Sequence, residues 1–563
     1  MKRMSLQRVS AGGEEGVALR FILMNNNKPY SRHIFIFPFQ WDYIGRQVSQ
    51  KGDLSYNERT DIDAFDRIFR QETKLERSFF EIRDSHTRYN EFTYFYPFVR
   101  NTLYGTRENK SVYFYELEGE GGTYSIDIKA DINRTYHLKL TKISVHIFDT
   151  GVGLVAFSLL NDLYTQEHDI LRINDFGRRL YPQFLGSEKR LNAKDVFLAN
   201  SISGHIASLD FYEDFSRFED EVDHRSPFLP PDHIRQVFGY SKTDRVGDEW
   251  RKFVFRDRDE RRGTIRISPI MDDRMYFLSY YRNDSLADRV GMKQGMICRA
   301  IRNVLDRGAI DTGYLYEVGE ESNFWYRYMY GDGNSKGIAN SDFQISEIRK
   351  ATYSRWVEYG TLIGITRDSA TYLSTTRFGV LGAQFLSMYY QMAILSIVQR
   401  AGILRFSGEI ANLTQNALGK KKRTSKNIKE LYESYIKFLN QVVFREVTSQ
   451  IQGIEMYDLF QKAMNIERDA KALDAEMSEL FNYLEIEEQS NLNKTANLYL
   501  PLALLTGVLG INTLADGWFG SLLGWLGSDK GWHSWNIGDF ITTIVIAVCL
   551  YFPIRYHIKT KNK

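Results

Sequence analysis

Residues 496–515 read Ala-Asn-Leu-Tyr-Leu-Pro-Leu-Ala-Leu-Leu-Thr-Gly-Val-Leu-Gly-Ile-Asn-Thr-Leu-Ala and carry no charged side chain. A helix of about 20 residues, rising about 1.5 Å per residue, crosses the roughly 30 Å hydrocarbon layer of a bilayer. A second charge-free stretch, Phe540–Ile554, lies near the C-terminus and reaches a spanning length with Ile537 and Tyr556. The pattern predicts a two-helix transmembrane hairpin within residues 495–563, with the lipid bilayer as a partner.

Basic residues are unevenly distributed about this hairpin. The connecting loop carries Lys530, whereas the tail after the second stretch carries Arg555, Lys559, Lys561 and Lys563. By the positive-inside rule, both termini are expected in the cytoplasm, as in a multi-pass protein of the inner (cytoplasmic) membrane. The charged N-terminus, Met1–Arg8, has no apolar run behind it, so no signal peptide is expected.

The composition excludes several classes of protein. The chain has 563 residues, room for about two to four units, and its mean hydropathy of −0.39 indicates that most of its mass is soluble. Lys and Arg number 73 and Asp and Glu 71, so the net charge of +2 argues against direct binding of nucleic acid. Cys298 and Cys549 form neither a disulfide framework nor a zinc cluster, which suits a reducing cytosol.

Residues 1–375 mix strand and helix patterns, which predicts one large cytosolic domain of the α+β or α/β class. Val17–Met24 and His33–Phe37 read as strands around a turn. Apolar and polar residues alternate over 136–140 and again over 143–147, and the slip of phase between the two sets indicates a bulge or a turn. Phe157–Tyr164 is predicted to be helical.

Residues 376–494 are predicted to form a helical stalk. Phe378–Leu404 is apolar, and it is interrupted by Gln384, Gln391, Gln399 and Arg400. A membrane span and a buried core helix both fit its length, and the polar interruptions favour the core helix.

A heptad seam marks the second half of the stalk. Its apolar residues recur at alternating steps of three and four: Met456, Leu459, Ala463, Ile466, Ala470, Leu473, Met477, Leu480 and Leu484. Such a seam predicts either self-association of a long helix or one amphipathic helix packed on its own domain. Two membrane spans cannot form a pore by themselves, so an ion-conducting hairpin requires several copies of the chain around an axis. Self-association through the heptad seam could assemble these copies. The alternative is that the hairpin only anchors a cytosolic enzyme.

The first uncharged stretch resembles the end of the first span in the CorA-like divalent-cation channel family. That family has a proline, a Thr-Gly pair and a terminal Gly-Met-Asn, and here Pro501, Thr506-Gly507 and Gly510-Ile511-Asn512 stand at the same spacing. The Gly-Ile-Asn variant is similar to those of the zinc-transporting branch. The resemblance implies a homo-oligomeric pore, five-fold by family, with Gly510, Ile511 and Asn512 at its mouth.

The chemistry expected of such a pore follows from its residue types. Asn512 would hold a divalent cation, most simply Mg²⁺, through the water shell that this ion gives up reluctantly. Leu498, Leu505 and Leu509 lie near the same helix face and fit either a dewetting gate or ordinary helix contacts. The residues after the asparagine, Thr513–Trp518, depart from the family's aromatic and acidic pattern, which leaves ion identity open.

The cytosolic part is about twice as large as in ordinary members of that family, which suggests an additional role. Its patches His146–Gly153, Ile173–Pro182 and Met271–Met275 resemble the CorA-like membrane effectors associated with type III CRISPR systems. In those effectors a large cytosolic domain senses a nucleotide second messenger, a conjugate of S-adenosylmethionine with AMP. The resemblance implies that residues 1–375 form a ligand-sensing domain for this conjugate.

Two charged patches are the candidate ligand residues. Arg178 and Arg179 lie between aromatic residues, and guanidinium groups match phosphate oxygens, although two surface arginines would look the same. Asp272, Asp273 and Arg274 could recognise an amine or a ribose, and a salt bridge at a strand end is the alternative.

The sequence contains no convincing catalytic constellation, so the protein is not expected to be an enzyme. Three hypotheses follow. The first is a messenger-gated CorA-like ion channel acting in antiviral defence. The second is a constitutive Mg²⁺, Co²⁺ or Zn²⁺ transporter of that family, and the third is a membrane-anchored cytosolic enzyme.

Overall fold

β1 (Tyr30–Val48) is the strand around which the sheet is assembled. Its first half pairs with β7 on one side and β14 on the other, and its second half pairs with β13 and β2. The computed structural model describes residues 30–48, 54–82, 85–106, 110–129, 133–181, 187–188, 191–192, 198–217, 230–239, 253–256, 264–270, 273–290, 323–333, 338, 340–376, 379–417 and 421–513.

Strands predominate in the first part of the chain and helices in the last. The described strands are β1 (Tyr30–Val48), β2 (Leu54–Arg59), β3 (Glu76–Ser78), β4 (Val112–Glu118), β5 (Thr123–Ile128), β6 (Arg134–Phe148), β7 (Val152–Asn161), β8 (Ser187–Glu188), β9 (Leu191–Asn192), β10 (Ser201–Ile206), β11 (Leu209–Asp214), β12 (Phe253–Arg256), β13 (Thr264–Pro269), β14 (Tyr276–Arg282), β15 (Thr352–Tyr353), β16 (Leu362–Ile365) and β17 (Ser369–Ser374). The helices are α1 (Ile62–Glu72), α2 (His86–Tyr94), α3 (Pro97–Leu103), α4 (Glu167–Arg178), α5 (Asp232–Val237), α6 (Phe324–Tyr330), α7 (Ser341–Ala351), α8 (Val380–Leu386), α9 (Met388–Ala417), α10 (Lys421–Gln441), α11 (Ile451–Ala463) and α12 (Ile466–Thr513).

The large sheet runs in the order β11-β10-β5-β6-β7-β1-β14-β17-β16-β15, and β4 also pairs with β6. β14 and β17 pair in parallel, and the other described pairs are antiparallel. The described chain is therefore a mixed α/β protein, with a large sheet domain followed by helices, as the sequence predicted. It divides into two compact units, Met1–Ala475 and Glu476–Lys563, so the predicted boundary at 375/376 falls inside the first unit.

Helices cover both faces of the sheet. Along β1, side chains alternate between the faces, as strand geometry requires. Trp41 contacts Phe65 of α1, and His33 hydrogen-bonds to Asn174 of α4, whereas Asp42 on the opposite face lies 3.3 Å from Arg405 of α9. Because both faces are covered, the central strands read as nearly continuous apolar runs.

That double burial explains one wrong prediction. Phe157–Tyr164 was expected to be helical, but β7 extends to Asn161 and pairs with β1 on one side and β6 on the other. An apolar run buried on both faces has no alternation to distinguish it from a helix. The slip of phase in β6 is confirmed, because its register against β7 shifts between Leu140 and Lys142. Val17–Met24 lies outside the described residues.

α9 packs inside the first unit, as the core-helix interpretation of Phe378–Leu404 predicted. Its polar interruptions have partners: Gln399 donates to the carbonyl oxygen of Val442 at 2.7 Å, and Arg400 donates to Asp368 at 3.2 Å. Within the described part of the chain, Val380–Thr414, which comprises α8 and most of α9, is the one helical stretch identified as long and apolar enough to cross a membrane. Because 61% of its most apolar window is buried in the protein, this length alone is weak support for a membrane location.

The heptad seam is interrupted, which corrects the expectation of one continuous stalk helix. α11 ends at Ala463 and α12 begins at Ile466, and between them Asn465 adopts a positive φ of 55°. Of the six seam residues of the first unit, four are already buried within the single chain and two are half-buried: buried are Met456, Ile466, Ala470 and Leu473, and half-buried are Leu459 and Ala463. This half of the seam therefore fits the alternative of an amphipathic helix packed on its own domain.

A buried hydrogen-bond network joins α4 to the sheet. His33 Nδ1 donates to Asn174 Oδ1 at 2.7 Å, Ser31 Oγ lies 2.8 Å from His33 Nε2, and Asn174 Nδ2 donates to Ser279 Oγ at 3.3 Å. The network orients α4, and burial lowers the pKa of His33 from 6.5 to about 4, since the charged ring would be desolvated.

We expect this histidine to make the first unit sensitive to acid. As pH falls below about 6.5, His33 becomes protonated in the unfolded chain but stays neutral in the folded protein. The free energy of unfolding therefore decreases between that pH and about pH 4. The shift corresponds to roughly 3 kcal/mol at 1.36 kcal/mol per unit. The measurement is the denaturation midpoint of the full chain between neutral pH and about pH 4.5, in the protein and in His33→Gln. An equally steep loss in the variant would contradict this assignment and would point to another group, such as the buried His146.

Candidate functional site

The two predicted ligand patches meet at the end of α4. Arg179 and Arg274 form an isolated antiparallel bridge, in which the amide of Met275 donates to the carbonyl oxygen of Arg178 at 2.7 Å. The amide of Leu180 likewise donates to the carbonyl oxygen of Asp273 at 2.9 Å. Arg178, Arg179, Asp273 and Arg274 are thus brought together across about 95 residues of sequence, whereas Asp272 lies outside the described residues.

A glycine lets α4 approach the sheet closely enough for this junction. A Cβ atom on Gly177 would lie 2.4 Å from Cζ of Phe35 on β1, which is closer than real contacts allow. The helix therefore places its final residues against the beginning of β14. Arg178 and Arg179 follow Gly177 directly and are therefore buried as well, with exposed fractions of 2% and 8%.

Arg178 is directed into the protein. Its Nη2 donates to the carbonyl oxygens of Tyr330 at 2.8 Å and Gly331 at 3.0 Å, and its guanidinium carbon lies 5.3 Å from the centre of the Phe277 ring. Burial lowers the pKa of Arg178 to about 10, so the side chain keeps its charge at neutral pH. In this position it anchors the end of α6 and does not face solvent as a surface arginine would.

The other charges of the junction form ion pairs. Arg179 Nε donates to Asp175 Oδ1 at 2.8 Å, and the second oxygen of Asp175 accepts from the amide of Gly333 at 3.1 Å. Arg274 donates to both carboxylate oxygens of its neighbour Asp273, at 2.7 and 3.1 Å. The last pair matches the strand-end salt bridge that the sequence left open as an alternative.

A pocket of about 320 Å³ opens beside Arg274. It lies between the start of β14, the turn joining β16 to β17, and α9, and its lining residues are Ile270, Arg274, Met275, Tyr276, Arg367, Asp368, Arg400 and Leu404. The sequence pointed to Arg274 but missed Tyr276, Arg367 and Arg400. The available signal was Arg400, a charged residue inside an apolar helix, which sequence reasoning used only to argue against a membrane span.

Hydrogen-bond donors at this pocket outnumber the acceptors that they contact. Arg400 Nη1 donates to the carbonyl oxygen of Arg367 at 2.7 Å and to Asp368 Oδ1 at 3.2 Å. The hydroxyl of Tyr276 is fully buried and has no hydrogen-bond partner among the described residues, and burial raises its pKa well above the ordinary value of 10. The pocket therefore offers hydrogen-bond donors and positive charge to an anion.

The predicted pore residues lie at the end of α12. This helix has 48 residues, about 72 Å at about 1.5 Å per residue, and it carries no charge from Thr495 to Thr513. For the predicted pore residues the structure describes the helical backbone but not the side chains: these residues are Leu498, Leu505, Leu509, Gly510, Ile511 and Asn512. The second predicted span, Phe540–Ile554, also lies outside it. Among the residues described, no group of three or more His, Cys, Asp or Glu side chains could hold a metal.

Comparison with known proteins identifies no relative. No protein-family model matches the chain, and neither a curated protein nor a solved structure is significantly similar to it. Functional conclusions therefore depend on the residues of this chain and on the geometry of its described part.

Proposed function

We propose that this chain is the subunit of a CorA-like homo-oligomeric membrane ion channel that a nucleotide second messenger opens. The observation that carries the proposal is the continuity of α12. The helix begins at Ile466 within the folded first unit and continues without a break into the uncharged segment that ends at Gly510-Ile511-Asn512. In the proposal, α12 is the element through which ligand binding to the first unit affects this segment.

The surface of α12 supports a lipid or protein environment for it. Five large apolar or aromatic side chains are exposed along the helix: Tyr483, Ile486, Leu492, Tyr499 and Leu500. Apolar side chains of this size, left in water along one helix, call for cover by lipid or by further copies of the chain. From Thr495 to Thr513 the helix measures about 28 Å, close to the roughly 30 Å of a bilayer core.

In this proposal the hairpin spans the inner membrane, with both termini in the cytoplasm, and the copies form a pentamer. Asn512 of each copy contributes an amide oxygen to a ring at the pore mouth, which holds hydrated Mg²⁺ or a similar divalent cation. Leu498, Leu505 and Leu509 form the apolar constriction. The messenger is the conjugate of S-adenosylmethionine with AMP, and the physiological setting is a type III CRISPR antiviral response.

Flux through liposomes that contain the full-length protein tests this proposal. We expect Mg²⁺ flux only when the S-adenosylmethionine–AMP conjugate is present on the cytoplasmic side. Asn512→Ala should lower it by at least about tenfold, as expected when a charge-dipole contact of roughly 1.5–3 kcal/mol is lost. Asn497→Ala is the matched control, since it removes the same amide at the other end of the uncharged segment.

The other outcomes separate the alternatives. Flux that follows the metal gradient without the conjugate would replace the proposal with a constitutive Mg²⁺, Co²⁺ or Zn²⁺ transporter. Absence of flux under every condition, with the protein inserted in the membrane, would favour a membrane anchor for a cytosolic enzyme.

A further inference from the structure

The pocket between β14, the β16–β17 turn and α9 has the size of a small-molecule site. Its volume of about 320 Å³ lies at the lower end of the range of roughly 300–1,000 Å³ that ligand pockets occupy. Its walls come from three separate parts of the first unit, so the cavity exists only in the folded domain.

Positive charge exceeds negative charge in the lining. Arg274, Arg367 and Arg400 line the pocket with Asp368, and Arg274 is already paired with Asp273 beside the cavity, so these groups together carry a formal charge of 3 − 2 = +1. A phosphate monoester carries about −1.5 to −2 at neutral pH, and guanidinium forks bind phosphate oxygens in pairs. A phosphate monoester offers three acceptor oxygens to the donors of Arg367 and Arg400, whereas a carboxylate offers two. The number of donors therefore favours a phosphate ester.

The hydrogen bonds of Arg400 leave part of its guanidinium group available. Both of its hydrogen bonds use Nη1, so Nε and Nη2 make none among the described residues. Arg367 is exposed and forms no ion pair within the same part of the chain. These two arginines, on α9 and on the β16–β17 turn, approach the cavity from different elements and can hold an anion between them.

Tyr276 gives an independent indication of a ligand. It is 1% exposed, it lines the pocket, and its hydroxyl lacks a hydrogen-bond partner in the described structure. A buried polar group left without a partner costs about 1–3 kcal/mol. In the proposal, a phosphate oxygen that reaches this hydroxyl accepts its hydrogen bond and removes that cost.

Apolar residues complete the cavity. Ile270, Met275 and Leu404 line it beside the arginines, and Leu404 is 40% exposed, which marks a side open to solvent. The base of a nucleotide, joined to the phosphate through the ribose, has a planar face that can pack on these side chains. We propose that this pocket binds the phosphate and the attached nucleoside of a mononucleotide or of a nucleotide conjugate.

The pocket would be the messenger site of the proposed channel. Only the effect of binding on ion conduction rests on that proposed function. A phosphate bound by the remaining donors of Arg400 and by Arg367 adds a contact between α9 and the β16–β17 turn. α9 in turn packs against β1 and β7 and against α11. The binding itself requires no ion conduction.

Calorimetric titration of the full-length protein in detergent with AMP, and with adenosine as the uncharged analogue, tests the site. We expect AMP to bind at least about tenfold more tightly than adenosine. Arg367→Gln should weaken AMP binding by about tenfold, the equivalent of roughly 1.4 kcal/mol for a charge-assisted hydrogen bond. Tyr276→Phe should weaken it by about three- to tenfold, because only the hydroxyl is removed.

Arg355→Gln is the matched control, since Arg355 pairs with Glu455 on α11 and does not line the pocket. The exposed position of Arg367 and the isosteric change at Tyr276 keep both variants folded. No saturable AMP binding, equal binding of AMP and adenosine, or unchanged AMP affinity in both variants would overturn the inference. Binding without any flux would leave the site intact and reject the channel, whereas conjugate-dependent flux with unchanged binding in both variants would reject the site alone.

Discussion

Asp175→Ala is expected to destabilise the first unit by about 3–5 kcal/mol, the usual cost of removing one partner of a buried ion pair. Asp175 is 5% exposed, and its two oxygens serve different elements. One accepts from Arg179 at 2.8 Å within α4, and the other accepts from the amide of Gly333 beyond α6. The substitution takes the carboxylate from a buried guanidinium and leaves that amide without its acceptor.

The measurement is the denaturation midpoint of the full-length protein in detergent. Asp458→Ala, at an exposed position on α11, is the matched control and should change stability by less than about 0.5 kcal/mol. Asp175→Asn should fall between the two, because an amide oxygen can still accept from Gly333 while the charge is lost. If Asp175→Ala proved as stable as the control, the junction would not depend on this carboxylate.

Asp175→Ala should also weaken ligand binding in the pocket. Arg179 is bridged to Arg274, and Arg274 lines the cavity, so loosening the end of α4 loosens one wall. Loss of AMP affinity in this variant would therefore report on positioning, whereas the loss in Arg367→Gln reports on a direct contact.

Trp41→Ala is the second large effect, with an expected loss of about 3–5 kcal/mol for truncating a buried aromatic side chain. Trp41 is fully buried at the middle of β1 and meets Phe65 of α1 edge-on, with 5.1 Å between ring centres. Its indole nitrogen donates to the carbonyl oxygens of Phe148 and Val152, each at 3.2 Å. The side chain thus joins α1 to the turn between β6 and β7.

Circular dichroism during chemical denaturation measures this effect without relying on tryptophan fluorescence. Trp41→Phe keeps most of the apolar contact and loses the two hydrogen bonds, so a smaller loss of about 1–3 kcal/mol is expected. Phe343→Ala removes an aromatic ring that is 56% exposed on α7 and serves as the control. A loss no larger than in the control would mean that the core is not organised around β1.

The two effects act on different contacts of the same scaffold. Trp41 secures α1 and the β6–β7 turn to the sheet, and Asp175 secures the end of α4 and the segment after α6. The pocket lies near the second of these positions. Variants at Trp41 are therefore expected to lower stability with little change in AMP affinity, in contrast with those at Asp175.

The amino-acid sequence by itself determined the features that depend on neighbouring residues. Alternation placed His33–Phe37 in a strand, the slip of phase marked the register shift at Leu140, and polar interruptions identified α9 as a core helix. These signals are local, because side-chain direction repeats every two residues in a strand and every 3.6 in a helix. The two-helix hairpin and the pore ring of Asn512 stay predictions of the same local kind.

Tertiary structure alone decided the rest. Periodicity did not reveal that β7 is buried on both faces, or that the heptad seam breaks at Asn465, where the backbone turns to positive φ. Nor did it reveal that Arg178 is directed inward, or that Tyr276 and Arg400 border one cavity. Such facts depend on which distant segments pack together, and a pattern read along the chain carries no information about those contacts.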